Sequence, residues 1–378
     1  MKILHIISNL EAGGAETMLY RLIRNGDRQR FHHCVISLKQ AGTLGPEIAA
    51  LDVPVIPLRI NGFAQALTGL MRFFRTLRKF KPDLVVGWMV HGNFFSWLAR
   101  CFHHKTPIVW NIRQALYSMS YESQLTARFI HFCAGQSSKT SAILYNSKVG
   151  AEHHEALGYD ASKRQVIANG FDLDVLKPSA TARTALRREL ELSEDAFIIG
   201  LVGRYHPMKD LPNLIRAAGI VSTSGKEAHC VLIGKNIDAN NAELTRLIEQ
   251  EGLSGRVHLL GERRDIPERV PGFDVSVCCS YTESFPNVVG EAMACGVPVI
   301  GTDVGETAEI IGGTGVVIPA RDSKALADAI IKLMDMPQAE RHALGQSARQ
   351  RIQQSYELNH IVRRYESLYE SVVEKKTA

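Results

Sequence analysis

A chain of 378 residues, 45% hydrophobic and 22% charged, has the balance of a folded globular protein, which excludes a disordered or low-complexity chain and leaves room for two domains. Its formal charge of +5 is unevenly spread: residues 1 to 180 hold 21 Lys or Arg against 12 Asp or Glu, the rest 23 against 27, so the two parts stand at +9 and −4. A basic first half fits an anionic membrane face, a phosphate-bearing acceptor or plain solvated surface, with nucleic acid a poorly supported alternative.

Met1 to Ser8 is one short apolar run that turns polar, which predicts a first strand over Ile3 to Ile7 and not a secretory signal. The chain is therefore expected in the cytoplasm. The loop that follows ends in Gly13 and Gly14, where a backbone without Cβ lets a phosphate or sugar approach closely; an ordinary strand-to-helix turn explains a lone Gly-Gly equally well. Its spacing matches neither the dinucleotide fingerprint nor the P-loop. Short apolar runs at Cys34 to Leu38, Val53 to Leu58, Leu84 to Val90, Ile108 to Ile112, Ala142 to Tyr145 and Val166 to Ala168 alternate with helical patterns, as in parallel sheets with crossover helices.

Met71 to Lys81 interleaves Phe73, Phe74, Leu77 and Phe80 with cations. A crossover helix with a buried aromatic stripe is the first reading, and a helix lying on a membrane the second. The longest uncharged stretch, Leu84 to Ala99, is shorter than the ~20 residues that span a bilayer. His91 and Arg113 each follow a predicted strand of the first series and stand as candidate ligand or acid/base groups. The pairs His32-His33, His103-His104 and His153-His154 have the wrong neighbours for a metal site and read as surface. Seven cysteines without C-x-x-C or zinc spacing read as reduced, mostly buried thiols.

Asn169 to Asp174, Lys177-Pro178 and the polar Ser179 to Thr184 read as a linker. Asp172 and Asp174 imitate an Asp-x-Asp metal motif, but their place in the linker argues against that role and no metal is expected. A second series of strands follows: Phe197 to Val202, Cys230 to Ile233, Val257 to Leu260, Val275 to Cys278, Pro298 to Ile300 and Val316 to Ile318. Arg204 and Lys209 share the loop after its first strand, suited to a diphosphate as a planar fork and a point charge. Glu283-Ser-Phe-Pro-Asn-Val-Val-Gly-Glu291 then reads as a loop leading into a helix from Val288 to Cys295, closed by Gly296. The helix N-terminus suits phosphate oxygens, and the two carboxylates suit sugar hydroxyls. Gln338 to Glu374 is helical in pattern, with its last part expected to cross back to the first domain. The expected divisions are 1–174, 175–358 and 359–378.

Several motifs in order resemble the retaining glycosyltransferases of family 4. Gly13-Gly-Ala-Glu16 looks like the family's glycine loop, Asn169-Gly-Phe-Asp172 like its domain junction, Val202 to Asp210 like its phosphate-clamp loop, and Glu283 to Glu291 like its E-x7-E signature. The resemblance covers nearly the whole chain. It implies an α/β protein of the GT-B fold: two facing, doubly wound Rossmann-like domains with a donor cleft between them, the first acceptor-side and the second nucleotide-sugar-binding. It also implies donor contacts from Gly13, Gly14, Arg204, Lys209, Glu291 on the ribose, and Phe285, Pro286, Asn287 and Val288 through backbone. His91, Arg113 and Glu283 are the catalytic candidates; Arg113, in Trp110-Asn-Ile-Arg113, stands where many relatives carry a sugar-contacting histidine.

The expected function is retaining, metal-independent transfer of a hexose or N-acetylhexosamine from a nucleotide-diphosphate sugar, a UDP-sugar by preference, to a glycan or lipid-linked acceptor of bacterial surface polysaccharide or lipopolysaccharide. The nucleotide sugar is a substrate, and no cofactor is expected. Peripheral association with the inner membrane face is a separate expectation. The alternatives are a sugar-nucleotide epimerase of the same fold and a non-catalytic nucleotide-sugar-binding subunit.

Overall fold

The computed structural model describes residues 1–60 and 62–377. Within them the chain divides into two compact units, one of Met1–Gly170 together with the segment from Leu358 onward, the other of Phe171–Glu357. The first unit carries strands β1 (Lys2–Ile7), β2 (His32–Ser37), β3 (Val55–Pro57), β4 (Leu84–Trp88), β5 (Ile108–Ile112), β6 (Ala142–Tyr145) and β7 (Arg164–Val166). Among the described residues they form one sheet in the order β3-β2-β1-β4-β5-β6-β7, every neighbour parallel.

The strands read as unbroken apolar runs because both faces of this sheet are covered. Ile3 and Ile7 of β1, with Leu84, Val86 and Trp88 of β4, belong to one buried cluster, while Leu4, Ile6 and Val85 belong to another on the opposite face. The first cluster is completed by the helix Leu358–Thr377, whose Leu358, Ile361, Val362, Tyr365, Tyr369 and Val372 form a helical stripe.

The second unit carries β8 (Phe197–Val202), β9 (Ala228–Ile233), β10 (Val257–Leu259), β11 (Val275–Cys278), β12 (Val299–Thr302) and β13 (Val316–Ile318). Their order is β10-β9-β8-β11-β12-β13, again parallel throughout. In both sheets the order reverses beside the first strand, between β1 and β4 and between β8 and β11. Such a switch point parts the loops at the strands' carboxyl ends and makes room for a ligand.

Phe171 explains why the first division falls earlier than expected. Its buried ring lies so close beneath Gly290 that a Cβ there would meet the ring at 2.1 Å, its N–H donates to Tyr356 O at 2.9 Å, and it bridges Glu357. The expected division after residue 174 thus lies four residues past the observed one. The helical pattern from Gln338 is two helices, Gln338–Ser355 and Leu358–Thr377, broken where the chain leaves the second unit.

Asp172 and Asp174 form a turn in which the Asp172 carboxylate accepts the N–H groups of Asp174 and Val175. The aromatic stripe at Met71 to Lys81 belongs to the helix Phe63–Phe80, with Phe73 and Leu77 fully buried and Arg72, Arg75, Arg78 and Lys79 exposed, as a crossover helix requires. The histidine pairs depart from expectation. His33 and His154 are buried, because neighbours in a strand face opposite ways and a helical neighbour turns by about 100°. Cys101 is exposed and the other six cysteines are buried.

Candidate active site

The loops after β8 and β11, the two strands flanking the second sheet's switch point, come together. After β8, Gly203 N–H donates to Ile233 O at 2.9 Å and Tyr205 N–H to Lys235 O at 2.8 Å, leaving Arg204 exposed between them. A 3-10 turn, Pro207–Lys209, follows, capped by the His206 side chain accepting from Met208 N–H. After β11, Tyr281 N–H donates to Met208 O at 3.0 Å, and the Cys279 thiol donates to Lys209 O at 3.2 Å. This stitching brings the Lys209 ammonium into an ion pair with Glu283 Oε1, which also accepts from Ser280 Oγ at 2.8 Å.

The electrostatics follow from this geometry. Burial alone would lower the pKa of the Lys209 ammonium, but the Glu283 carboxylate outweighs it and raises the value. Lys209 is therefore a fixed cation at ordinary pH. His206 is lowered by burial and by the charges of Arg204 and Lys209, so it is neutral and serves as a turn cap. Burial raises the Cys278 thiol to about 11, which keeps it protonated and inert.

From Glu283 the loop runs to the helix Asn287–Ala294, which has Pro286 as its N-cap residue and no side-chain cap. Phe285 is buried, its ring stacked on Phe171 at 6.2 Å and edge-on to Tyr356 at 6.0 Å. The side chain anchors the loop, which leaves backbone for any ligand contact. The loop Asp303–Glu306 supports the same segment from below: Glu306 N–H donates to Ser284 O at 3.0 Å, and Gly305, at φ +57, passes so close that a Cβ would meet Glu283 O at 2.5 Å. Only glycine fits that approach. Val288 and Glu291 are half-buried in the first turns of the helix, and Gly296 at φ +74 closes it.

In the first unit Gly13 caps the helix Gly14–Asn25. The Glu16 carboxylate folds back so closely that a Cβ on Gly13 would meet its Oε2 at 2.5 Å. It thereby supplies an anion to the positive end of the helix. Burial raises the Glu16 pKa, and its own N–H and the Arg113 charge oppose that rise.

β4 ends at Trp88, two residues before the expected run does, and Met89 at φ +61 turns the chain sharply into the helix Met89–Phe102. His91 therefore sits in a helical first turn, half-buried, its ring edge-on to Phe129 at 5.3 Å. Burial and then Lys39 lower its pKa, which favours the neutral ring.

Arg113 does follow β5, but it is buried, and its guanidinium donates to Tyr365 OH at 2.8 Å, to Asn111 Oδ1 at 3.3 Å and to Asn169 Oδ1, while lying 5.6 Å from the Trp88 ring centroid. These contacts tie β5 to the helix Leu358–Thr377 and to the end of the first unit's first segment. Such a guanidinium braces the fold and is poorly placed to contact a sugar.

A doubly wound sheet with two cations and a carboxylate on its switch-point loops, beside a helix N-terminus, is an arrangement that suits an anionic ligand. The family description "Glycosyltransferase Family 4" matches residues 12–175, and "Glycosyl transferases group 1" matches residues 182–351. The chain belongs to glycosyltransferase family 4, of the GT-B fold with two Rossmann-like domains.

Among curated proteins it is 30% identical over 192 residues to the N-acetyl-alpha-D-glucosaminyl L-malate synthase of Bacillus anthracis, a match covering 50% of this chain and 49% of that one. It is 25% identical to the putative glycosyltransferase EpsF of Bacillus subtilis, over 84% of this chain and 82% of that one. The match thus spans about half the length of the first two curated relatives. Among solved structures, Anabaena HepE in complex with UDP aligns with a TM-score of 0.85 at 25% identity, over 98% of this chain and 100% of that one. The lipopolysaccharide-biosynthesis glycosyltransferase WaaG aligns at 0.71 and 17% identity, over 95% and 97%, a likeness of fold.

Proposed function

We propose that this protein is a retaining glycosyltransferase that moves a hexose or N-acetylhexosamine from a UDP-sugar to a glycan or lipid-linked glycan acceptor in bacterial surface polysaccharide or lipopolysaccharide synthesis. The observation that carries the reading is the union of the loops after β8 and β11 through the Lys209–Glu283 pair and the Tyr281 to Met208 hydrogen bond. The UDP and UDP-glucose bound by HepE support the choice of donor.

In this reading Arg204 and Lys209 neutralise the diphosphate, the helix end at Pro286, Asn287 and Val288 receives its oxygens with Phe285 holding that backbone in place, and Glu291 takes the ribose hydroxyls. Glu283 keeps Lys209 charged and lies toward the transferred sugar. The bond from the anomeric carbon to the leaving phosphate oxygen breaks on the face where the acceptor oxygen bonds. The acceptor's hydroxyl proton passes to the leaving diphosphate, whose developing charge the two cations stabilise. The scheme needs neither cofactor nor metal. Gly13, Gly14 and a neutral His91 keep the donor and sugar contacts implied by family resemblance, and Arg113 becomes a brace.

The test is a thermal-shift panel of nucleotide sugars, in which a bound donor raises the melting temperature by mass action, followed by incubation of each hit with glycan acceptors. Transfer with retained anomeric configuration is expected. A second sugar formed from the donor alone would favour the epimerase, binding without any product a non-catalytic subunit, and no shift with any nucleotide sugar would sink the reading.

We place the protein on the cytoplasmic face of the membrane. Between residues 53 and 121 the sequence holds nine Lys or Arg against one acid, Asp83. In that region Leu67, Met71 and Phe102 are exposed near Arg72, Arg75, Arg78 and Lys79, and the Phe102 ring lies tilted against Phe74, centroids 3.9 Å apart. No described helix is long and apolar enough to cross a membrane, and in this reading attachment is by this surface. The protein should co-sediment with anionic vesicles at low salt and be released at high salt; absence of binding at low salt defeats the assignment.

A further inference from the structure

Arg321 follows β13 at the carboxyl edge of the second sheet and is held at φ +60. A residue with a Cβ enters that left-handed region against steric resistance, and glycine does so freely. Such an outlier invites a search for what the side chain does in return. The Arg321 guanidinium lies 4.0 Å from the centroid of the Tyr281 ring, a cation over an aromatic face. It also acts on Asp210: burial raises that carboxyl's pKa, and the Arg321 charge is the largest influence pulling it back.

Both residues stand next to the Lys209–Glu283 pair. Asp210 adjoins Lys209, and Tyr281 lies two residues before Glu283 in the loop whose N–H donates to Met208 O at 3.0 Å. One side chain from the loop after β13 thus lies against the residue that joins the two loops supplying the Lys209–Glu283 pair. The Tyr281 ring is half-buried, so the planar guanidinium covers a face that water would otherwise reach, and it fixes the ring and the backbone leading to Glu283.

Resting on the nucleotide-sugar reading of this site, we propose that Arg321 is a positioning residue for the donor diphosphate, holding Lys209 and Glu283 in register by stacking on Tyr281. It touches neither the reacting atoms nor, in this assignment, the phosphate. The unfavourable backbone is retained for the side chain it presents.

The discriminating substitution is Arg321→Gly, which removes the side chain and relieves the left-handed backbone together. The melting temperature of the unliganded protein should stay level or rise, while the donor KM increases about tenfold and the UDP-induced thermal shift shrinks. Affinity and stability then move in opposite directions, which a purely structural residue would not produce. Arg321→Lys keeps a cation over the ring and should recover part of the donor affinity. Tyr281→Ala should reproduce the Arg321→Gly effect, and the double substitution should be no worse than either alone, as expected for residues acting through one contact. Unchanged donor KM in Arg321→Gly overturns the proposal, with or without a fall in melting temperature. If melting temperature and affinity fall together, recovery of affinity in Arg321→Lys supports positioning, and no recovery overturns it. A wild-type protein that shifts with no nucleotide sugar overturns the underlying reading and this one with it; a normal wild-type shift confines any failure to Arg321.

Discussion

Replacing Lys209 by Ala should lower kcat/KM for glycosyl transfer by about 10²- to 10³-fold, on the order of 3 to 4 kcal/mol of transition-state stabilisation. The loss is expected chiefly in kcat, because the charge that Lys209 meets grows as the diphosphate leaves. The fold should survive. Glu283 keeps the hydrogen bond from Ser280 Oγ at 2.8 Å, and the loops stay joined by Tyr281 N–H to Met208 O. Circular dichroism and a melting curve alongside the transfer assay separate the two effects. A variant with wild-type turnover would remove Lys209 from the diphosphate. Glu283→Gln makes the complementary case: it takes away the carboxylate that raises the Lys209 pKa, so the ammonium should titrate at lower pH and the alkaline limb of the rate profile should move down with it.

The second large effect concerns acid. In the first unit Trp88 Nε1–H donates to His5 Nδ1 at 3.1 Å, so the His5 proton must sit on Nε2, where it donates to His33 Nδ1 at 3.0 Å. Both rings are buried and neutral. Burial, then the charge of His33, holds His5 well below its ordinary value. Burial, followed by His32, Arg28 and the N-terminal ammonium, lowers His33 to about 4. His154, whose ring bonds Gly150 O at 2.8 Å, is lowered to about 4, mainly by burial.

Between pH 6.5 and 4 the unfolded chain binds protons at these sites that the native protein refuses. Stability is therefore full above about pH 6.5 and is lost as pH falls toward 4. The loss is on the order of 3 kcal/mol for His33 and a similar amount for His154, a large part of the roughly 5–15 kcal/mol that holds a typical domain. Urea unfolding at pH 7.5 and 4.5 should show a steep drop in midpoint, and His154→Gln should flatten part of it. Equal stability at both pH values would contradict the assignment.

The sheets were legible in the sequence because strands covered on both faces leave uninterrupted apolar runs, and the expected strand positions lie within a few residues of those observed. The meeting of the loops after β8 and β11 was legible for a related reason: switch-point loops lie at strand ends, so Arg204, Lys209 and Glu283, the residues of the proposed clamp, stand in the loops after recognisable strands. What spacing does not carry is the direction of a side chain once its strand has ended. Arg113 turns inward to Tyr365, 252 residues away in sequence, and no local pattern announces such a partner. His33 and His154 read as surface residues because a polar side chain buried by hydrogen bonds has the same local signature as an exposed one. Arg321 escaped notice altogether, since its left-handed backbone and its ring contact belong to the folded chain alone.

The helix Leu358–Thr377 completes the core of a unit whose other segment precedes the second unit in the chain. On a ribosome the order of completion is therefore inverted. Residues 171–357 can close their own core once Glu357 has emerged and bridged Phe171, while the unit begun before them waits for residues made after them. Until Ile361, Val362, Tyr365 and Tyr369 arrive, the face of Trp88 and β1 has only the cover that residues such as Met18, Leu19, Leu22 and Ile23 supply, so the nascent first unit is the part that exposes apolar surface longest.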